Sequence, residues 1–193
     1  MRTSLTICLF FLLISCKNNS NNNREANQRT KIDIGNDFID AFYSFNRDSL
    51  QTILTDAHSS QPEILYYQKW AECANYKIVN RAHYIEKNDS TISIPITVKD
   101  DLMAALQIDF NVTDTFHIVI QDGKIKSVKT SSNDLDVYHK AKEWVTKNRP
   151  KLVEKACEGI WEGGPTPCEC VQGMEKGFAE FTNEDKINRQ KQK

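Results

Sequence analysis

Apolar residues recur at helical spacing where the folded part of the chain begins. The repeat predicts an amphipathic helix that starts near Asn36 and Asp37, residue types that favour a helix amino terminus. Its apolar stripe consists of Ile34, Phe38, Ile39, Phe42 and Phe45. A second helix is expected from Asp48, whose side chain would cap it, and Pro62 is well placed to open a third. The first part of the fold is therefore predicted to be helical.

The middle of the chain alternates between apolar and polar side chains. Strict alternation is typical of strands with one buried face. Strands are expected at 76–85, 92–98, 106–112, 116–120 and 124–130. Asp122-Gly123 is a hairpin signal, and Pro95 cannot donate to a ladder, so its strand is expected at a sheet edge or with a bulge. The short connections predict an antiparallel meander of about five strands.

Helical spacing returns in the last part of the chain. It extends from Tyr138 to Val145, stops at Pro150 and resumes over 152–160. A final helix is expected to open at Thr166-Pro167, a cap followed by a proline in the first turn. Helices first, a curved antiparallel sheet next and helices last define an α+β arrangement.

This order of elements resembles the nuclear transport factor 2-like superfamily, the cone-shaped fold of polyketide-cyclase-like proteins. The other residues that carry the resemblance are Trp144-Val145, Gly163-Gly164-Pro165, Cys170-Val171, Met174 and Gly177-Phe178. The resemblance covers about residues 32–182. It implies a sheet that wraps around a helix and leaves a pocket at the open end of a cone. Members include enzymes, small-molecule binders and scaffolding modules, so the fold does not select a function.

The amino terminus has the pattern of an export signal. One positive charge precedes an apolar run from Leu5 to Ile14, which is too short for a transmembrane helix of roughly 20 residues. Leu13-Ile14-Ser15-Cys16 resembles the lipobox of bacterial lipoproteins. That resemblance implies cleavage before Cys16 and acyl chains on that cysteine. The alternative is an ordinary secretory signal with an incidental cysteine.

The domain boundaries follow from these patterns. Residues 1–15 are expected to be the signal peptide, and residues 16–31 a lipidated, Asn-rich, disordered tether. Residues 32–182 would form one domain, followed by a charged flexible tail at 183–193. The lipoprotein resemblance implies a bacterial envelope location. Because acidic sorting residues are missing after Cys16, we expect the outer membrane, facing the periplasm.

Charge and motifs exclude several classes of function. The chain has 25 Lys and Arg residues against 26 Asp and Glu residues, and these are scattered rather than grouped. A nucleic-acid partner would need a basic face, so none is expected. The glycine-rich phosphate loops and the nucleophile elbow of hydrolases are missing from the sequence. We therefore expect no cofactor.

Four cysteines follow Cys16, namely Cys73, Cys157, Cys168 and Cys170. In an oxidising compartment an even number suggests disulfides, with three possible connectivities. The preferred arrangement joins Cys157 to Cys168 or Cys170, and Cys73 takes the other partner or stays unpaired. Buried free thiols are the alternative. A zinc site lacks the Cys-x-x-Cys spacing, whereas a redox role for Cys168 would follow from its position near a helix amino terminus.

Histidines and carboxylates offer one candidate catalytic pair. The histidines are His58, His83, His117 and His139. None of them has metal-ligand spacing, so no metal site is expected. Asp109 and His117 fall on the polar face of neighbouring predicted strands, and they could form an acid–base pair if that face lined the cone. The alternative places both side chains on the solvent side of the sheet.

Three aromatic residues are candidates for the lining of a pocket: Tyr43, Trp70 and Tyr84. Their alternative role is ordinary core packing. The resulting hypothesis is a non-catalytic envelope lipoprotein that binds a small ligand or an envelope protein near the membrane. One alternative is a cone-fold enzyme that performs acid–base chemistry or hydrolysis. The other is a structural or assembly lipoprotein, in which a homodimer through the sheet would matter.

Overall fold

A computed structural model of the chain describes residues 29–158 and 168–191. The helices are α1 (Lys31–Tyr43), α2 (Arg47–Ile53), α3 (Gln61–Cys73), α4 (Asp101–Ala105), α5 (Asp136–Asn148), α6 (Pro150–Val153) and α7 (Cys168–Lys191). The strands are β1 (Lys77–Arg81), β2 (Ile85–Asn88), β3 (Thr91–Lys99), β4 (Val112–Gln121) and β5 (Lys124–Ser132). The predicted α+β fold is confirmed: helices come before and after the strands of an antiparallel sheet along the chain.

The five strands form one open antiparallel sheet. Its order is β1-β3-β4-β5, and β2 also pairs with β3. The ring of Phe116 on β4 lies 5.5 Å from the Phe38 ring and 4.9 Å from the Phe42 ring, both on α1. One face of the sheet therefore packs against the helices, and we call it the inner face. The resulting shape is cone-like, with the sheet curved over the helices.

The first helix begins earlier than its apolar pattern predicts. Thr30 and Asp33 form a capping box, in which each side chain accepts from the other's backbone N–H. The helix therefore starts at Lys31 rather than near Asn36 and Asp37. A capping box satisfies two of the backbone donors that every helix start leaves free, which fixes the boundary.

The second and third helices differ in how well their starts were predicted. Asn46 caps α2 by accepting from the Ser49 backbone N–H at 2.9 Å, whereas Asp48 lies inside the first turn. The predicted cap at Asp48 is therefore wrong by two residues. Pro62 lies in the first turn of α3, where its missing N–H costs nothing, as the sequence predicts.

The segment predicted as a strand over 106–112 is not a strand. Asp100 accepts from the Met103 backbone N–H at 2.8 Å and caps the short helix α4, which ends near Leu106. Gln107 then has a positive φ of 57°. This turn breaks the backbone geometry that a strand needs, so β4 begins only at Val112.

Pro95 lies inside β3, which has partners on both sides. Its carbonyl accepts from the Ala82 N–H at 3.1 Å, and Ala82 lies in the break between β1 and β2. Because the N–H and C=O of one strand residue point to the same side, the missing donor of Pro95 faces this break. The predicted single strand over 76–85 is thus two short strands, and the proline is accommodated without an edge position.

Two disulfides fasten the last helix to the rest of the domain. Cys73 at the end of α3 pairs with Cys168, and Cys157 after α6 pairs with Cys170. This is one of the two arrangements that the sequence favours. Residues 154–158 continue beyond α6 in turns rather than as the predicted longer helix. The predicted cap at Thr166-Pro167 lies outside the described residues.

Glycines let α7 approach its neighbours closely. A Cβ atom at Gly173 would collide with the backbone carbonyl of Leu152, and one at Gly177 would meet the Val145 side chain. The helix also continues to Lys191, so residues 183–191 of the expected charged tail are helical. Lys186 donates to the Gln107 side chain, which helps to hold this extension against the domain.

The predicted signal peptide, Cys16 and the predicted tether up to residue 28 lie outside the described residues. No described helix combines the length and the hydrophobicity of a transmembrane span.

Candidate ligand-binding pocket

A pocket lies between α3, α5 and the end of the sheet where β4 begins. Two adjoining cavities of about 250 and 210 Å³ share Tyr67, Trp70, Thr130, Asp134 and Tyr138 as walls. The outer cavity adds Glu63, Tyr66, His139 and Lys142, and the deeper one adds Tyr76, Asp114, Ser131 and Ser132. We call the two together the inner pocket. Their sizes suit a small molecule or the head of a larger one.

The local sequence places the pocket residues by simple periodicity. On α3, Trp70 follows Tyr66 by four positions and Tyr67 by three, so the three side chains occupy one side of that helix. Asp114 is two positions before Phe116 on β4, and both therefore point to the inner face. The pocket is thus formed where an aromatic helix side meets the polar start of a strand.

Asp114 is the most unusual residue of the pocket. Only 2% of it is exposed, and its Oδ2 atom is buried without a hydrogen-bond partner. Burial, with smaller effects from the charges of Asp134 and Asp100, raises the pKa of Asp114 to about 6, against the lowering effect of hydrogen bonding from Tyr67 and Ser132. The carboxyl group is therefore held in surroundings that do not satisfy its charge.

The neighbouring tyrosines remain neutral donors. Burial raises the pKa of Tyr67, Tyr76 and Tyr138 well above the ordinary value, and the charge of Asp114 raises it further in each case. Asp134 accepts a hydrogen bond from the Ser132 hydroxyl at 2.9 Å at the edge of the pocket. The pocket therefore combines two carboxyl groups with phenol hydroxyls and aromatic faces.

The three predicted lining aromatics have different positions. Trp70 lines both cavities, and its ring centroid lies 6.5 Å from that of Tyr66. Tyr43 packs edge-on against Phe42 and Phe116, and its hydroxyl is buried without a hydrogen-bond partner. Tyr84 is 39% exposed and lines a separate cavity beside the break between β1 and β2. The structure brings only Trp70 of these three to the inner pocket.

The predicted pair of Asp109 and His117 does not form the site. Asp109 lies in the exposed connection between α4 and β4, because the strand expected there is missing. His117 is next to Phe116 on β4 and so points to the outer face. Its Nδ1 lies 2.8 Å from the Ser93 hydroxyl and its Nε2 lies 3.0 Å from the Ser131 hydroxyl. The premise of two polar residues on neighbouring strands is wrong.

The cysteines contribute to the site through position rather than chemistry. Cys73 is the last residue of α3, so its disulfide to Cys168 fixes the end of the helix that carries Tyr67 and Trp70. Within residues 29–158 and 168–186, no three His, Cys, Asp or Glu side chains are grouped so that they could hold a metal ion.

Sequence reasoning missed the central residues, Asp114, Tyr67 and Tyr138. One signal could have found Asp114: it interrupts an apolar stripe of alternating residues that continues through Phe116 and Ile118. A carboxylate in phase with the buried side chains of a strand is costly, and such residues are concentrated at functional sites.

Comparison with known proteins identifies no family. No protein-family model matches the chain, and no curated protein matches it either. Among solved structures it is similar to a protein of unknown function with a cystatin-like fold from Xanthomonas campestris. The TM-score is 0.40 and the identity 18%, over 55% of this chain and 92% of that chain. The interpretation of the pocket therefore rests on its own residues.

Proposed function

We propose that this protein is a lipid-anchored envelope protein whose cone-like domain binds a small molecule in the inner pocket. The observation that carries the proposal is the buried Oδ2 atom of Asp114, which has no hydrogen-bond partner inside an aromatic cavity. A buried acceptor without a donor costs about 1–3 kcal/mol, and more when it is charged. A bound ligand with a donor group would offset this cost.

The walls of the pocket suit such a ligand. The rings of Tyr67, Trp70 and Tyr138 offer flat apolar surface, while the hydroxyl groups and carboxyl groups supply a few directed polar contacts. The position also agrees with the nuclear transport factor 2-like resemblance, in which the pocket lies at the open end of the cone. That resemblance is part of the proposal.

The anchor is the second part of the proposal. It is supported by the lipobox-like sequence that ends at Cys16 and by the two disulfides, which fit an oxidising compartment. Mass spectrometry of the protein from its native cells is expected to find Cys16 as the acylated first residue. A Cys16→Ser variant should lose the acyl chains, and an unmodified chain that still begins at Met1 would overturn the anchor.

Binding can be tested with three probes of similar shape: 2-phenylethylamine, 2-phenylethanol and 3-phenylpropionate. Tryptophan fluorescence of the full-length protein in detergent micelles would report binding beside Trp70. Thr130→Phe fills the pocket, because Thr130 pairs with Phe116 and points inward. Thr115→Phe is the matched control, because Thr115 points to the outer face of the same sheet.

We expect at least one probe at millimolar concentration to change the fluorescence of the wild type and of Thr115→Phe, but not of Thr130→Phe. If no probe binds, or if binding survives in Thr130→Phe, the pocket is not the binding site and the proposal is wrong.

One observation favours a second candidate function, which is acid–base catalysis. A buried carboxyl group with a pKa of about 6 beside neutral tyrosine hydroxyls is suited to moving a proton near neutral pH. Hydrogen exchange next to the carbonyl of cyclohexanone in D₂O is a suitable assay. Acceleration by the wild type and not by Asp114→Asn would favour the enzyme, and equal rates would exclude this reaction.

A further inference from the structure

We infer that the inner pocket selects a small organic cation, an amine whose ammonium group binds Asp114 while its hydrocarbon part lies against the rings of Tyr67, Trp70 and Tyr138. This inference rests on the proposed binding function and adds the chemical class of the ligand.

The charge of the pocket is the first argument. The deeper cavity is lined by the carboxyl groups of Asp114 and Asp134, and its other lining residues are aromatic or carry hydroxyl groups. Lys142 lines only the outer cavity, where Glu63 lines it as well. In the deeper cavity a ligand that reaches Asp114 therefore meets negative charge, and the residues that line this cavity include no lysine or arginine. Such a site attracts a cation and repels an anion.

The geometry at Asp114 is the second argument. Its buried Oδ2 atom needs a donor, and an ammonium group supplies up to three. A hydrogen bond between an ammonium N–H and a carboxylate is roughly twice as strong as one between neutral groups. The ligand thus supplies a partner for the Oδ2 atom, in addition to the hydrogen bonding that Tyr67 and Ser132 give the carboxyl group.

The aromatic walls are the third argument. Tyr67, Trp70, Tyr76 and Tyr138 all line the deeper cavity. The faces of such rings carry partial negative charge and attract a cation, most strongly when the site is shielded from water. Rings and carboxylates therefore favour the same class of ligand, whereas an anion is opposed by both.

Burial raises the pKa of Asp114 most, and charged groups from the surrounding elements add smaller effects. Asp134 precedes α5 and Asp100 caps α4, and both carboxylates raise its pKa. The tyrosine neighbours from α1, α3 and α5 are uncharged at pH 7, namely Tyr43, Tyr67 and Tyr138. The carboxyl group is mostly ionised at pH 7 and mostly protonated at pH 5, so binding of a cation should weaken as the pH falls between these values.

The three probes defined above test the inference directly. We expect 2-phenylethylamine to bind full-length protein at pH 7 about tenfold more tightly than 2-phenylethanol, and 3-phenylpropionate to bind weakest. Asp114→Asn should remove the preference for the amine while 2-phenylethanol still binds. Asp109→Asn is the matched control, because Asp109 is exposed outside the pocket, and it should bind like the wild type.

The outcomes separate this inference from the proposed function. If 2-phenylethanol or 3-phenylpropionate binds as tightly as the amine, the selection for a cation is wrong but small-molecule binding stands. The same conclusion follows if the amine preference survives in Asp114→Asn or is unchanged between pH 7 and pH 5. If none of the three probes binds, both are overturned.

Discussion

The two ends of strand β4 share one inner face but are covered in different ways. At one end, Phe116 and Ile118 are fully buried, and the Phe116 ring packs against the rings of Phe38 and Phe42 on α1; we call this the sealed end. At the other end Asp114 faces the inner pocket, and we call this the open end. Two residues along one strand are enough to pass from close-packed core to a cavity with a carboxyl group.

The difference shows how the fold keeps a space open. Apolar packing holds the sealed end together and fills it. At the open end, the elements around the pocket must keep their positions although their side chains do not fill the space between them. A covalent cross-link takes the place of packing there, because the Cys73–Cys168 disulfide fixes the end of α3 beside the pocket. The comparison predicts that the two ends respond to different perturbations.

Removal of the disulfide at the open end should have the largest effect. Cys73 and Cys168 are 95 positions apart, so the Cys73→Ala/Cys168→Ala variant frees a long loop in the unfolded chain and should lose about 4–5 kcal/mol of stability. Cys157→Ala/Cys170→Ala removes a cross-link over 13 positions and should lose about 3 kcal/mol. Urea unfolding measures both. A larger loss for the shorter loop would contradict the explanation.

Hydrogen exchange would show where the first of these variants is loosened. Amides of α3 should exchange faster, while those of α1 at the sealed end change less, because the disulfide is attached to α3.

Truncation at the sealed end should be the next largest effect. Phe38 is completely buried, so Phe38→Ala leaves a cavity and should lower the free energy of unfolding by about 4 kcal/mol. Val79→Ala is the control, because Val79 is 55% exposed and should change stability by less than about 0.5 kcal/mol. Equal losses in the two variants would mean that the sealed end is not the main packed core.

Asp114 should make stability depend on pH. Its pKa rises from 3.8 to about 6 in the folded protein, so the folded state keeps the proton that the unfolded state releases between these values. Its favourable contribution is complete below about pH 4 and is lost as the pH rises through 6. Relative to Asp114→Asn, the wild type should lose about 3 kcal/mol between pH 4 and pH 7. Urea unfolding at several pH values measures this, and parallel curves would refute it.

The outer face offers the smallest predicted effect. His117→Ala removes the contacts of the imidazole to the hydroxyls of Ser93 and Ser131, which should cost about 1 kcal/mol. Because His117 points away from the inner pocket, probe binding should not change. A loss of probe binding in this variant would mean that His117 contributes to the binding site after all.

The sequence predicted those parts of the fold that depend on neighbouring residues alone, such as turns and regular strands. The hairpin at Asp122-Gly123 is confirmed, and both residues have the positive φ that such a turn requires. The strand over 92–98 was equally clear. The predicted strand over 106–112 was wrong, because its alternating apolar residues lie at the end of α4 and in the loop that follows. The positive φ of Gln107 turns the chain there, and this geometry is not visible in the apolar pattern.

The candidate site was harder to predict because it depends on which face of the sheet is enclosed. Asp109 and His117 were chosen as polar residues on a polar face, whereas the centre of the proposed site, Asp114, is a polar residue on an apolar face. Asp114 carries that signal in the sequence, but the tyrosines from α3 and α5 meet it only through tertiary packing. Periodicity within one element does not reveal such neighbours.

The disulfide between Cys157 and Cys170 has a consequence for the integrity of the chain. A protease that cuts one peptide bond between these two cysteines would not release the carboxy-terminal piece. When the cut lies before Cys168, that piece carries both Cys168 and Cys170, so one bridge joins it to α3 and the other to the segment after α6. A nicked molecule would therefore run as one species on a gel until it is reduced, and it would keep the wall of its pocket in place.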